Sequence, residues 1–236
     1  MTTSPPVFCA IDRPDLEGAL ELCRSLEDVV GGFKVGLEFT TANGPAGVRA
    51  VVELGLPVFL DVKFHDIPNT VAGAVRAAGG LGVAMLTLHV AGGPAMLRAA
   101  VEAAAGCASR PALLGVTVLT SIDNADLARI GVPHAAGDQV LRLAALARSC
   151  GLEGVICAPP EIGLLRSHLG TGLKLVVPGI RPAGSGQGDQ KRTLGPAAAI
   201  AAGADWLVIG RPITAAPDPR AAAAAIAAEI AAARAA

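Results

Sequence analysis

Eight short and nearly unbroken apolar runs, each leading into a stretch of helical spacing, predict an α/β chain folded as a (β/α)8 barrel, the TIM barrel. Runs of this kind are what strands look like when both faces of a parallel sheet are buried. Length agrees. The 236 residues fall in the range of α/β barrels, and neither an internal repeat nor a linker divides them, so residues 1–236 are read as a single domain. An open doubly wound sheet is the rival that the same alternation permits.

Val7 to Ile11 forms the first run and ends at Asp12-Arg13-Pro14. Asp15 to Val29 has helical spacing, with Leu16, Ala19, Leu20, Cys23 and Leu26 on one side. Gly32 to Leu37 is the second strand, with Lys34 inside it, and Gly44-Pro45 opens a helix to about Leu54. Pro57 to Val62 is the third strand, and Pro68 starts the helix that runs to Ala78. Val83 to Val90 is the fourth strand, followed by a helix from Pro94 to Ala105. Ala112 to Leu119 is the fifth, ending in Thr120-Ser121, with helical pieces over Asn124–Ile130 and Gly137–Cys150. Gly154 to Cys157 and the helix Pro159 to His168 come next, then Leu173 to Val177 as the seventh strand. Pro196 to Ala202 is helical, and Trp206 to Ile209 is the eighth strand. The Ala-rich tail from about Arg220 is read as a plain outer helix, since Ala is the best helix former and Glu229 and Arg234 interrupt the run.

Composition excludes several classes of function. A net charge of −1 and only 3% aromatic residues give neither the electrostatic nor the stacking basis for a nucleic-acid partner. No run approaches the ~20 apolar residues that span a bilayer. The start, Met-Thr-Thr-Ser-Pro-Pro, lacks a basic region before an apolar one, so no signal peptide is read. The five cysteines are scattered, odd in number and never spaced C-x-x-C, which reads as reduced thiols rather than a disulfide framework or zinc site. A cytoplasmic protein is expected.

Chemistry concentrates in Phe59-Leu60-Asp61-Val62-Lys63-Phe64-His65-Asp66-Ile67-Pro68-Asn69-Thr70. Residues two apart on a strand share a face, so Asp61 and Lys63 leave the same side of the strand tip, and Asp66 follows in the loop. A Lys between two Asp is often a surface ion-pair cluster worth ~0–1 kcal/mol. Here Phe59, Leu60, Val62, Phe64 and Ile67 surround the charges, which points to a partly buried site. Lys34 is the more telling residue. An ammonium in a buried apolar run needs acidic partners, and Asp12 and Asp61 on the neighbouring strands are the nearest. An alternating Lys34, Asp61, Lys63, Asp66 network follows. Pairing of this kind favours the ammonium form and suits proton donation over nucleophilic attack.

Barrel active sites are built at the C-terminal ends of the strands, and phosphate is often held by the loops after strands seven and eight. Here these are the Gly-rich stretch from Gly179 to Arg192 and Ile209-Gly210-Arg211-Pro212. Arg211 can grip an anion with two donors, and the polar Gln190 with its basic flank suits a closing lid, although such a loop is as often a flexible connector. His65 and His89 are read as a partly exposed loop residue and a hydrogen-bonded barrel-end residue. No H-x-E, H-E-x-x-H or clustered Cys/His spacing supports a metal. Asp123, Asp126 and Asp138 read as helix starters.

With these residues together, the chain resembles the orotidine 5′-phosphate decarboxylase family over nearly its whole length. The resemblance rests on Ala10-Ile11-Asp12, Phe33-Lys34-Val35-Gly36, Asp61 through Thr70, Thr117-Val118-Leu119-Thr120-Ser121, Pro178-Gly179-Ile180-Arg181-Pro182, Gly188-Asp189-Gln190 and Ile209-Gly210-Arg211-Pro212. It implies a cofactor-independent carboxy-lyase that converts orotidine 5′-monophosphate to uridine 5′-monophosphate and CO2, the last step of de novo pyrimidine synthesis. Carried onto matching positions, it implies that Lys63 protonates C6 of the pyrimidine and that Asp61 sits against the departing carboxylate. Lys34 and Asp12 would bind ribose hydroxyls, and Thr120 the pyrimidine amide edge. Gln190 and Arg211 would hold the phosphate, with Pro178, Arg181 and Gly210 completing the substrate site. Asp66 and Thr70 would reach into the neighbouring subunit of a homodimer. Two alternatives stay open. A magnesium-dependent sugar-phosphate decarboxylase or aldolase of the same barrel superfamily shares D-x-K-x-x-D, but such relatives place an acidic metal ligand where this chain has Lys34. A non-catalytic nucleotide-binding barrel is the other.

Overall fold

The computed structural model describes residues 4–182 and 194–235. Its eight strands are all parallel and close on themselves in sequence order: β1 (Val7–Ala10), β2 (Gly32–Val35), β3 (Val58–Phe64), β4 (Met85–His89), β5 (Ala112–Val116), β6 (Gly154–Ile156), β7 (Lys174–Val177) and β8 (Trp206–Ile209). Closure is made by β1 against β8, with Cys9 opposite Ile209. The closed ring decides for the barrel over the open sheet.

The outer layer follows the predicted pattern: α1 (Leu16–Leu26), α2 (Leu37–Val52), α3 (Pro68–Gly79), α4 (Gly93–Ala105), α5 (Asn124–Arg129), α6 (Ala136–Ser149), α7 (Ile162–Leu169), α8 (Pro196–Ala201), the short α9 (Arg211–Thr214) and α10 (Pro219–Ala235). Several starts have a local cause. Asp15 accepts the Gly18 amide to cap α1, Asp123 accepts the Ala125 and Asp126 amides to cap α5, and Pro68 opens α3. Asp138 lies instead in the first turn of α6, where a negative charge also favours a helix.

Several boundaries differ from the sequence reading. The second strand stops at Val35, and Leu37 already belongs to α2. Helix α2 is two helices in series, broken at Gly44, whose φ of 59° is open to glycine, with Pro45 starting the second half. The fifth strand ends at Val116, and the next residue, Thr117, donates its hydroxyl to the Ile156 carbonyl at 2.9 Å. The third strand runs on to Phe64 through an irregularity that matters below.

The apolar interior has two parts. Outward strand residues and the helices form one large cluster that includes Phe33, Phe39, Leu86 and Leu97. Inside the barrel, Phe8, Ala10, Phe59, Leu114, Val176 and Val208 form a second. At its lower end the Trp206 ring lies tilted on Phe8, centroids 5.0 Å apart, and Phe8 in turn meets Phe59 edge-on at 6.0 Å. All five cysteines are free, and burial pushes the Cys9 and Cys157 thiols far above their usual range. Among the described residues no helix is long and apolar enough to cross a membrane.

Candidate active site

Above the aromatic floor the inward positions turn polar. Phe59 of β3 faces into the barrel, and Asp61, two residues on, faces the same way with its side chain 15% exposed. Lys34 on the adjoining β2 is more deeply placed, at 9%. Its ammonium lies 3.2 Å from Asp12 Oδ1, beyond the end of β1, and 3.7 Å from Asp61 Oδ2. The predicted pairing of this lysine with these two carboxylates is what the fold makes. It is also what permits the burial, since removing one side of such a pair costs about 3–5 kcal/mol. Gly36 leaves room for it: a Cβ there would sit 2.9 Å from Lys34 Nζ and 3.3 Å from Asp12 Oδ1.

Past Asp61 the strand pairing is interrupted. Leu60 is in register with Leu86, but the next partners are Phe64 and Leu88, so β3 spends extra residues in between. Lys63 sits in this bulge with φ at 53°, the only non-glycine positive φ among the described residues. That region costs an ordinary side chain about 1–2 kcal/mol. The bend folds the lysine back over its neighbour, with Nζ 2.8 Å from Asp61 Oδ1. A residue passed over in the sequence completes the cluster. Thr87, fully buried on β4, bonds Asp61 Oδ1 at 3.0 Å and receives the Lys63 amide at 2.9 Å. Its one signal in the sequence is a hydroxyl between two leucines of a central strand.

Two cavities meet over this cluster. One, of about 160 Å³, has Asp61 and Lys63 against an otherwise largely apolar wall that includes Phe59, Val118, Thr120 and Pro178. The other, of about 210 Å³, is lined by Asp12, Lys34, Pro178, Arg181, Gly210 and Arg211 among others. They share Pro178 and Val208, and the Lys34–Asp61 ion pair links one to the other. The arrangement suits an elongated ligand with a flat apolar end and an anionic end.

A family model described as "Orotidine 5'-phosphate decarboxylase / HUMPS family" matches residues 5–226. The chain belongs to that family. It is 53% identical over 230 residues to an orotidine 5′-phosphate decarboxylase of Paramagnetospirillum magneticum, covering 95% of this chain and 98% of the relative. It is also 53% identical over 236 residues to that of Moorella thermoacetica, covering 98% and 94% respectively. Among solved structures, an orotidine 5′-phosphate decarboxylase from Lactobacillus acidophilus superposes with a TM-score of 0.84 at 37% identity, covering 96% of this chain and 99% of that one.

Not every residue that the family resemblance singled out lies in this cluster. Asp66 is exposed beyond β3, where its carboxylate accepts the Ile67 amide at 2.6 Å, and it pairs with neither lysine of its own chain. Thr70 is exposed on the first turn of α3. The four-member charge network is therefore Asp12–Lys34–Asp61–Lys63 within one chain. Gln190 and the rest of residues 183–193 lie outside the described residues. The His89 ring makes no hydrogen bond among the described residues. It instead packs 5.4 Å from that of His65, which is exposed as expected. Burial first, then His65 and Lys63, hold the His89 pKa below its usual 6.5, against an opposing pull from Asp61.

Proposed function

We propose that the chain decarboxylates orotidine 5′-monophosphate to uridine 5′-monophosphate and CO2, the last step of de novo pyrimidine synthesis, with neither metal nor organic cofactor. The observation that carries this is the partly buried Lys34–Asp61–Lys63 chain at the seam of an apolar and a basic cavity. Loss of CO2 from C6 leaves a carbanion on a vinyl carbon with no adjacent electron sink, so a cation fixed in advance beside C6 is what the reaction needs. Lys63 supplies it and then gives a proton to C6. Asp61 holds that ammonium at 2.8 Å and faces the substrate carboxylate, whose negative charge it opposes until CO2 departs.

The remaining roles are those of the family resemblance, and the cavity linings support them. Thr120 and Pro178 bound the cavity for the base. Asp12 and Lys34 meet the ribose hydroxyls, and Arg211 with Arg181 and Gly210 takes the phosphate; Gln190, outside the described residues, is assigned to the phosphate on the family resemblance alone. Binding energy from the remote phosphate stabilises the closed, reactive arrangement. The substrate assignment also has the support of the relatives at 53% identity named for this reaction. A lysine at position 34, where metal-dependent relatives would need an acid, weighs against a sugar-phosphate substrate.

The working unit is a homodimer in which Asp66 and Thr70 complete the partner's site. What supports this is their exposure together with that of Ile67, which is 67% exposed between them. The test is to mix EDTA-treated protein with orotidine 5′-monophosphate and follow the ultraviolet change as it becomes uridine 5′-monophosphate. Rapid turnover is expected. No turnover from folded protein, or turnover restored only by magnesium, would sink the proposal.

A further inference from the structure

We infer that Thr87 is the positioning residue that holds the Asp61 carboxylate and the Lys63 backbone in their reactive arrangement through a single hydroxyl. Thr87 lines neither cavity and is completely buried in β4, between Leu86 and Leu88. A hydroxyl at such a place is tolerated only when it is fully bonded. This one is, and the direction of each bond is fixed by chemistry. The Lys63 amide can only donate, so the hydroxyl oxygen accepts it, at 2.9 Å. The Asp61 carboxylate can only accept, so the hydroxyl proton goes to Oδ1, at 3.0 Å.

Both bonds serve the bulge. Between Leu60 and Phe64 the β3–β4 ladder is interrupted, and the Lys63 amide is satisfied by the Thr87 side chain in place of a strand carbonyl. An anchored amide keeps Lys63 in the left-handed backbone region, at φ 53°, from which its ammonium turns back onto Asp61. Asp61 is fixed from the same point. Its Oδ1 receives both the Thr87 hydroxyl and the Lys63 ammonium, which leaves Oδ2 facing Lys34 at 3.7 Å. Without the hydroxyl, the buried amide has no partner and the backbone is released toward extended geometry. The ammonium is then carried away from the place where charge develops.

The inference rests on the proposed reaction for its rate readout but not for its structural one. Thr87→Val, nearly the same shape without the hydroxyl, is expected to lower kcat roughly ten- to a hundredfold while KM changes less than about threefold. Thr87→Ser, which keeps the hydroxyl, is expected to recover kcat to within about threefold. Amide hydrogen exchange read at Lys63 by NMR should show protection lost in the Val variant and kept in the Ser variant. A Val variant with native kcat and a protected Lys63 amide would overturn the inference. So would a Ser variant as slow as the Val variant, because the methyl packing rather than the hydroxyl would then matter. If the Val variant does not fold, the Ser variant decides alone: retained protection and rate support the assignment, and a tenfold loss of rate refutes it. Should the native protein show no turnover, the proposed reaction fails, and the exchange comparison still decides the role of Thr87.

Discussion

Lys63 combines a strained backbone with a charge held against a half-buried carboxylate, and both are intelligible only if the ammonium is needed where it lies. Lys63→Ala should give folded protein with turnover reduced by about 10²–10⁴-fold or more, measured by the absorbance assay. Near-native turnover would remove Lys63 as the proton donor. Gly36 offers a gentler test. An Ala there places a methyl 2.9 Å from Lys34 Nζ, the mobile end of a side chain, so the ammonium shifts while the backbone stays. Gly36→Ala should keep its unfolding midpoint in urea and lose substrate affinity. His89 carries a pH dependence whose sign is fixed. Because its folded pKa lies below the 6.5 of the unfolded chain, the unfolded state binds more protons between those two values. Stability is thus undiminished above about pH 6.5 and falls as pH drops through that window. Urea unfolding at pH 7.5 and 5.5 should show a smaller loss in His89→Asn than in the native chain, and an equal loss would refute it.

At the scale of elements, the strand–helix alternation was legible because burial on both faces leaves continuous apolar runs, and most helix starts because Asp15, Asp123 and Pro68 act on their own neighbours. Lys34 was legible for the same local reason, as one charge in a buried strand. What depended on another strand was not. At the bulge the Lys63 amide meets the Thr87 hydroxyl, and just past β5 Thr117 bonds the Ile156 carbonyl, and no reading of residues 57–62 or 112–119 alone contains either partner. The first half of α2 is hidden behind Gly44-Pro45, which opens only the second half of that helix. A staple at the bottom of the barrel was equally out of sight, because two of its partners, Gly203 and Asp205, lie far from Arg166 in sequence. Arg166 of α7 donates to the carbonyls of Gly170 and Leu173 at 2.9 and 2.8 Å and to Gly203 at 2.9 Å, and it pairs with Asp205. Burial alone would raise the Asp205 pKa, but the Leu175 amide, Lys174 and Arg166 together hold it below its usual value. Arg166→Met should cost about 2–3 kcal/mol in urea unfolding without changing KM, because the staple ties α7 to the far ends of β7 and β8.

For the whole molecule, one chain supplies Asp12, Lys34, Asp61 and Lys63 to its own cavities while Asp66 and Thr70 are exposed and line neither. If the partner's site is where Asp66 and Thr70 act, two inactive proteins should rescue each other. Lys63→Ala and Asp66→Ala chains, unfolded together and refolded as a mixture, form hybrid dimers in which one site has lost both residues and the other neither. About a quarter of native activity should return, since half of randomly paired dimers are hybrids with one intact site each. No recovery, with hybrids demonstrated by mass, would place Asp66 outside the partner's site. The stacked ring at the base of the barrel has a consequence of a different kind. The chain has no tyrosine and one tryptophan, so Trp206 is its sole strong native fluorophore. Packed on Phe8 at the end opposite the charge network, it reports whether the ring of strands is closed and is distant from events in the cavities above. An emission shift on denaturation would then time the opening of the barrel itself, against a background to which the five phenylalanines add little.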